Sequence, residues 1–117
     1  MEVEKLQKFV KEIIDHVPEL KQTLEEHKEE YGEVIPYVVM DEFSNYVIDD
    51  LRKRHESEMF RKFVKALENH INADDDVATM IRTSFCETID SNWADKELHN
   101  RIMDNLSASI KKCLTIQ

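Results

Sequence analysis

The chain carries five histidines and many carboxylates, which are residue types that bind metal ions when enough of them converge. The histidines are widely spread, and none belongs to an HExxH motif. Glu12 and His16 stand one helical turn apart, but a pair supplies fewer ligands than a metal site in a protein normally uses. We therefore expect neither a metal ion nor another cofactor.

Paired carboxylates suggest a second chemistry, that of all-helical, magnesium-dependent nucleotide pyrophosphohydrolases. These enzymes hold their metals between an ExxE on one helix and an ExxD on a facing helix. Residues 26–29 supply an ExxE, but the matching stretch, residues 42–45, ends in Asn45 instead of a carboxylate. Residues 87–90 form an ExxD that lies too far along the chain. This enzyme class is therefore the third and least favoured interpretation, and no catalytic residue is predicted.

Nucleophilic catalysis has no sequence support either. Ser84 is not in a glycine-containing nucleophile elbow, and Cys86 follows Phe85 in the middle of a predicted helix, away from a cationic neighbour. Cys86 and Cys113 are far apart and form no CxxC motif. Two reduced, buried thiols in a cytoplasmic protein are expected rather than a disulfide.

The net charge of −9 makes nucleic-acid phosphates and anionic membranes unfavourable partners. Three aspartates, residues 74–76, stand at a predicted helix start, where carboxylates cap backbone N–H groups. Asp49 and Asp50 are followed by basic residues at 52–54, which can neutralise them locally. Local structure is enough to explain both of these acidic groups.

A third acidic group, the glutamate cluster, has no such explanation; its members are Glu25, Glu26, Glu29, Glu30 and Glu33. It contains like-charge pairs four residues apart, each of which costs about 0.2–0.5 kcal/mol on a helix. It also places negative charge in the last turn before Gly32, against the helix dipole. Because local energetics disfavour this cluster, we predict that it binds a partner together with Asp41. A solvated face that maintains solubility is the alternative.

Trp93 lies in a polar link, residues 91–95, between two predicted helices. A tryptophan in such a link either closes the end of the hydrophobic core or anchors an interface. The core position is the favoured interpretation, and Trp93 is retained as a candidate partner-binding residue.

The spacing of apolar residues predicts six amphipathic segments, at residues 3–16, 18–31, 36–51, 60–71, 77–89 and 98–114. Gly32 is placed to end the second segment with a left-handed cap, Pro36 fits the first position of the third, and Ser57 is a plausible N-cap for the fourth. Residues 34–39 are β-branched enough that a short strand is the competing prediction.

The length and the scarcity of glycine indicate one all-α domain, residues 1–117, with five or six helices. The helices form either a bundle or a short stacked array of helix pairs. The sequence shows no secretory signal and no apolar run long enough to cross a membrane, so a cytoplasmic location is predicted.

Two stretches resemble an uncharacterised family of small bacterial all-helical proteins that often lie near toxin-immunity and contact-dependent-inhibition genes. The first is residues 33–41, where Pro36 is followed five residues later by Asp41. The second runs over residues 60–87, where an acidic turn leads to an apolar helix that ends with Phe85 and Glu87. Cys86 stands where an aliphatic residue is expected. The resemblance implies a non-enzymatic binding function in which an immunity protein covers a toxin, such as a basic nuclease.

We therefore predict a protein-binding domain that contacts another protein through the acidic surface described above; the resemblance points to a basic toxin as that partner. The main alternative is a helical scaffold or oligomerisation domain, in which Trp93 packs against a second copy. The oligomeric state is left open.

Overall fold

The computed structural model describes residues 3–54, 56–73, 75–112 and 114. The described residues form seven helices and no strand, which confirms the predicted all-α class and the helical alternative for residues 36–39. The helices are α1 (Val3–His16), α2 (Lys21–Tyr31), α3 (Pro36–Lys53), α4 (Glu58–Glu68), α5 (residues 76–91), α6 (Lys96–Asp104) and α7 (Ala108–Lys111). A 3₁₀ turn, Pro18–Leu20, leads into α2.

Three helix boundaries follow the local signals in the sequence. Gly32 ends α2 with φ at 75°, and its N–H bonds to the carbonyl of Lys28 at 2.8 Å. Pro36 occupies the first turn of α3, where its missing N–H is not needed. The Ser57 hydroxyl accepts the N–H of Phe60 at 3.0 Å and so caps α4.

The core surrounds α3, which contacts α1, α2, α4, α5 and α6. Four phenylalanines are fully buried, Phe43 on α3, Phe60 and Phe63 on α4, and Phe85 on α5. The rings of Phe63 and Phe85 meet edge to face with centroids 5.5 Å apart. Packing around one central helix differs from a stacked array, in which each helix pair contacts only its neighbours. The molecule is one small domain with a radius of gyration of 13.4 Å.

The number of helices is higher than the predicted five or six, because the sixth predicted segment forms two helices. Asp104 ends α6, and the Ser107 hydroxyl accepts the N–H of Ile110 at the start of α7. The apolar residues of this segment recur strictly every four positions, from Leu98 to Leu114. Since an α-helix turns by about 100° per residue, this spacing drifts by about 40° at each step. The break lets residues on both sides of it face the core.

The fifth segment has the same four-residue spacing, and it corrects the resulting angular drift without a break in the helix. α5 is α-helical over Asp76–Ile81, π-helical over Arg82–Cys86 and α-helical again over Glu87–Ser91. A π turn holds more residues than an α turn, so it rotates the following side chains back toward the core. Phe85 within the π turn and Ile89 after it are both fully buried.

The start of α5 confirms the predicted helix-capping role for Asp75. Asp75 is the N-cap and accepts the N–H of Ala78 at 3.0 Å. The hydrogen bond from the Lys5 amino group, and then that from Ala78, hold the pKa of Asp75 below its ordinary value. Asp74 lies outside the described residues.

Cys86 is buried and disulfide-bonded, so the predicted reduced thiol is wrong at this position. The sequence has one other cysteine, Cys113, which lies outside the described residues. A disulfide depends on the proximity of the two Cβ atoms in the fold, which sequence spacing does not reveal.

Among the described helices, none combines the length and the apolar composition that a membrane span requires.

Candidate functional site

The glutamate cluster lies on α2 and on the turn that follows it, and all five of its side chains are exposed. α2 buries only Leu24 and His27. Its other positions are therefore available to solvent or to a partner, and the helix contributes more to the surface than to the core.

A groove with a volume of about 720 Å³ lies between α2 and α3. We call it the α2–α3 groove and define it by six of its lining residues, Glu26, His27, Glu30, Glu42, Tyr46 and Asp49. Glu26 and Glu30 are one helical turn apart on α2, and the three members on α3 follow at intervals of four and three residues. These spacings place each set on one face of its helix.

His27 is the residue that connects the two walls of the groove. Its side chain is buried, and its Nε2 accepts the N–H of Ile35 at 2.9 Å, at the start of α3. Because a nitrogen that accepts a hydrogen bond carries no proton, the ring is neutral with its hydrogen on Nδ1. Nδ1–H then donates to Oε1 of Glu42 at 2.7 Å. His27 therefore holds the carboxylate of Glu42 in place within the groove.

The groove is strongly acidic. Four of its lining residues are carboxylates, whereas Arg52 is the one cation among the described residues that line it. Arg52 is already engaged, with Nη1 at 3.6 Å from Oδ1 of Asp49 and Nη2 at 3.3 Å from Oδ1 of Asn92. Within the described part of the chain, Glu26, Glu30 and Glu42 form no ion pair with Lys or Arg. Negative charge therefore remains available in the groove.

The predicted partner-binding residues are only partly brought together. Glu26 and Glu30 line the α2–α3 groove, whereas Glu25, Glu29 and Glu33 are exposed outside it. Asp41 lines a second, smaller groove of about 370 Å³, which lies between α3 and α5 and also includes Glu87. Asn45 lines both grooves. The predicted acidic surface is thus not continuous, because Glu26 and Glu30 lie in the groove on one side of α3 and Asp41 lies in the groove on the other side.

The favoured interpretation, that Trp93 closes the end of the core, is wrong. Its side chain is 52% exposed. It follows directly after Asn92, which lines the α2–α3 groove. The turn after α5 thus leaves its indole available for contact from outside.

The described residues contain no group of three or more His, Cys, Asp or Glu side chains that could hold a metal ion. Glu12, considered above with His16, instead has Oε2 at 2.7 Å from Nε2 of His70, which lies in the turn after α4. His16 bonds through Nδ1 to the backbone carbonyl of Glu12 at 3.0 Å.

Residues 10–116 match a family model described as "Domain of unknown function (DUF7674)". The chain belongs to this family. The match covers the second half of α1 and all of α2–α7. No curated protein and no solved structure matches the chain. Because the DUF7674 description names no activity, the function has to be inferred from the α2–α3 groove itself.

Four of the residues that define the groove were not among those predicted to bind a partner. In the sequence, His27 and Glu42 lie only within the incomplete carboxylate motif considered for magnesium. The negative charge of Asp49 was explained by the basic residues that follow it. That explanation is accurate, since Asp49 pairs with Lys53 at 3.1 Å and with Arg52. The sequence spacing does show that Glu42, Tyr46 and Asp49 share one helical face, but it does not show that this face lies opposite Glu26 and Glu30.

Proposed function

We propose that the protein is a non-enzymatic binding domain that holds a basic partner protein in the α2–α3 groove. The observation that carries this proposal is that the described lining residues of one groove include four carboxylates from two helices and a single guanidinium. Such a site raises the rate of association with a positively charged surface by electrostatic steering.

Toxin neutralisation is the specific form of binding that we propose, following the resemblance to bacterial immunity-associated proteins. A nuclease toxin needs a basic groove to hold nucleic-acid phosphates. An acidic groove of another protein can occupy that surface in their place and block access to the substrate.

Affinity capture from the source cells tests the proposal with a matched pair of variants. The first carries Glu26→Lys and Glu30→Lys inside the groove, and the second carries Glu25→Lys and Glu29→Lys outside it. Both pairs lie on α2 with the same spacing, and both change the net charge by the same amount. We expect basic proteins to be captured at low salt by the wild type and by the second variant, and to be lost with the first.

The salt concentration is the second variable in this experiment. At about 0.5 M NaCl, where exposed charges are largely screened, capture by the wild type should also fall. Equal capture by the two variants, or capture that does not respond to salt, would contradict the proposed role of the groove.

A second candidate function is self-association, which the half-exposed side chain of Trp93 favours. In this case Trp93 would be covered by a second copy of the chain. Sedimentation velocity over a wide range of concentrations distinguishes the two functions, since a monomer at every concentration removes the scaffold or oligomerisation alternative.

The cytoplasmic location belongs to the same proposal, and the disulfide at Cys86 weighs against it. Disulfides persist mainly in oxidising compartments. Mass spectrometry after rapid alkylation of whole cells tests the location. A cytoplasmic protein should yield alkylated Cys86, whereas a blocked Cys86 would place the protein in an oxidising compartment.

A further inference from the structure

Two exposed aromatic side chains, those of Tyr46 and Tyr31, lie in or next to the α2–α3 groove, and they are an observation independent of its charge. Among the described residues, the large hydrophobic side chains that remain exposed are Val3, Tyr31, Tyr46 and Trp93. Three of the four are aromatic, and Tyr46 and Trp93 are 50% and 52% exposed. Tyrosine and tryptophan are enriched in the central contacts of protein interfaces.

Tyr46 and Tyr31 are associated with the groove through their side chains, whereas Trp93 is linked to it only as a sequence neighbour of a lining residue. Tyr46 lines it directly. The ring of Tyr31 lies 4.7 Å, centroid to centroid, from the ring of His27, which also lines the groove. Trp93 follows Asn92, another lining residue. Among the described residues, two of the three exposed aromatic side chains therefore lie at the groove that carries the uncompensated carboxylates.

The groove already holds one guanidinium, that of Arg52. Its Nη2 donates to Oδ1 of Asn92 at 3.3 Å, and its Nη1 lies 3.6 Å from Oδ1 of Asp49. One end of the groove thus accommodates the planar, multiply donating group of arginine between acceptors from α3 and from the turn after α5. The remaining carboxylates, Glu26, Glu30 and Glu42, continue the same kind of acceptor surface.

We propose that the α2–α3 groove receives an arginine side chain of the partner protein, with its guanidinium against the ring of Tyr46 and its N–H groups donating to the carboxylates of Glu26, Glu30 and Glu42. This inference rests on the proposed function and names the group that the groove recognises. Glu42 is the fixed acceptor, because the bond from His27 holds its carboxylate.

Arginine is preferred to lysine for two physical reasons. A guanidinium is planar and stacks on an aromatic ring, whereas an ammonium is a compact, strongly hydrated charge. A guanidinium also presents several N–H donors in a fixed arrangement, which suits carboxylates that approach from two helices. The ammonium of lysine carries the same charge and lacks both properties.

Fluorescence anisotropy with labelled oligoarginine and oligolysine peptides of equal length tests the inference. We expect the wild-type protein to bind oligoarginine about three- to tenfold more tightly than oligolysine. Tyr46→Leu should remove most of this preference while leaving the affinity for oligolysine nearly unchanged. Because Tyr46 is half exposed, the variant is expected to fold, which circular dichroism checks.

A matched pair of double variants shows where the peptide binds. Glu26→Gln with Glu30→Gln should lower the affinity for oligoarginine about tenfold, whereas Glu25→Gln with Glu29→Gln should change it less than about threefold. Chemical-shift changes on titration should include the amides of His27 and Tyr46.

The possible failures of this inference and of the proposed function are distinguishable. Equal affinity for the two peptides, or an arginine preference that survives Tyr46→Leu, overturns the arginine inference while leaving an acidic binding groove. Equal losses in the two double variants overturn the groove as the binding site. Absence of binding to either peptide contradicts both proposals.

Discussion

Two helices of equal length show how differently the same fold uses its elements. α2 and α4 each have 11 residues. α4 buries six of them, which are Met59, Phe60, Phe63, Val64, Ala66 and Leu67. α2 buries two, Leu24 and His27, and the second of these is polar. One helix therefore builds the core, and the other lies on it and presents a surface.

The two helices are also held in place by different interactions. Apolar burial fixes α4, including the edge-to-face contact of Phe63 with Phe85. α2 depends more on specific polar bonds, since His27 binds both Ile35 N–H and the carboxylate of Glu42. A helix that supplies little to the core is free to carry charges which its own stability disfavours.

The largest expected effect is a loss of unfolding free energy that is greater for a core substitution on α4 than for one on α2. Phe63→Ala on α4 should lower the free energy of unfolding by about 3–5 kcal/mol, because it removes a fully buried ring from the centre of the core. Leu24→Ala on α2, where the side chain is 7% exposed at the edge of the core, should lower it by about 2 kcal/mol. Urea denaturation followed by circular dichroism measures both, and equal losses would remove the distinction.

The next effect tests the polar attachment of α2. His27→Ala should lower the free energy of unfolding by about 2 kcal/mol, because it leaves the N–H of Ile35 and the carboxylate of Glu42 without their bonds. The control is His70→Ala, whose bond to Glu12 lies at a partly exposed site and whose loss should be below about 1 kcal/mol. Faster amide hydrogen exchange at Ile35 in the first variant alone would locate the effect.

Charge substitutions should have opposite signs on the two helices. Glu29→Lys, close to the end of α2, should raise the free energy of unfolding by about 0.5–1 kcal/mol, since it relieves repulsion with Glu25 and complements the helix dipole. Glu58→Lys, in the first turn of α4, should lower it by about 0.3–1 kcal/mol. Thermal unfolding of the two variants beside the wild type decides the signs, and a loss of stability in Glu29→Lys would show that the cluster is not locally disfavoured.

The smallest effect concerns an ion pair that joins the two regions. The Nζ of Lys62 on α4 lies 3.0 Å from both carboxylate oxygens of Glu19, just before α2, and this hydrogen bond holds the pKa of Glu19 below its ordinary value. Because the folded-state pKa is lowered, the pair contributes stability above the ordinary pKa and loses it as the pH falls through the folded value. Since Glu19 is 47% exposed, solvent screening limits the contribution to less than about 1 kcal/mol.

Lys62→Met isolates this contribution. The stability difference between the wild type and the variant should be present near about pH 7 and should disappear near about pH 2–3. Urea denaturation at both values measures it, and a difference that is the same at the two pH values would assign it to packing of the lysine stem instead.

Helix boundaries were the most predictable part of this protein. Gly32, Pro36 and Ser57 each act through backbone geometry or a hydrogen bond within a few residues, so their effects need no knowledge of the fold. The four-residue spacing of apolar residues correctly marked helical segments. It did not show how the chain corrects the drift of these residues around the helix axis. α5 resolves it with a π turn, whereas the next segment resolves it with a break before Ser107.

The candidate site was predictable in one half only. Glu26 and Glu30 could be selected because like charges one turn apart disfavour the helix that carries them. Glu42, Tyr46 and Asp49 carried no such signal, since each is ordinary on an exposed helix face. They belong to the site only because α2 and α3 lie side by side.

By itself, the sequence determined the all-α class, the segments that become helices, and the unusual placement of negative charge before Gly32. These properties depend on interactions between residues close together in the chain. Only the tertiary structure decided that Glu26 and Glu30 of α2 line the same groove as the carboxylates of α3, that Trp93 is exposed, and that Cys86 is disulfide-bonded. These properties depend on how helices distant in sequence pack around α3, which no local spacing specifies.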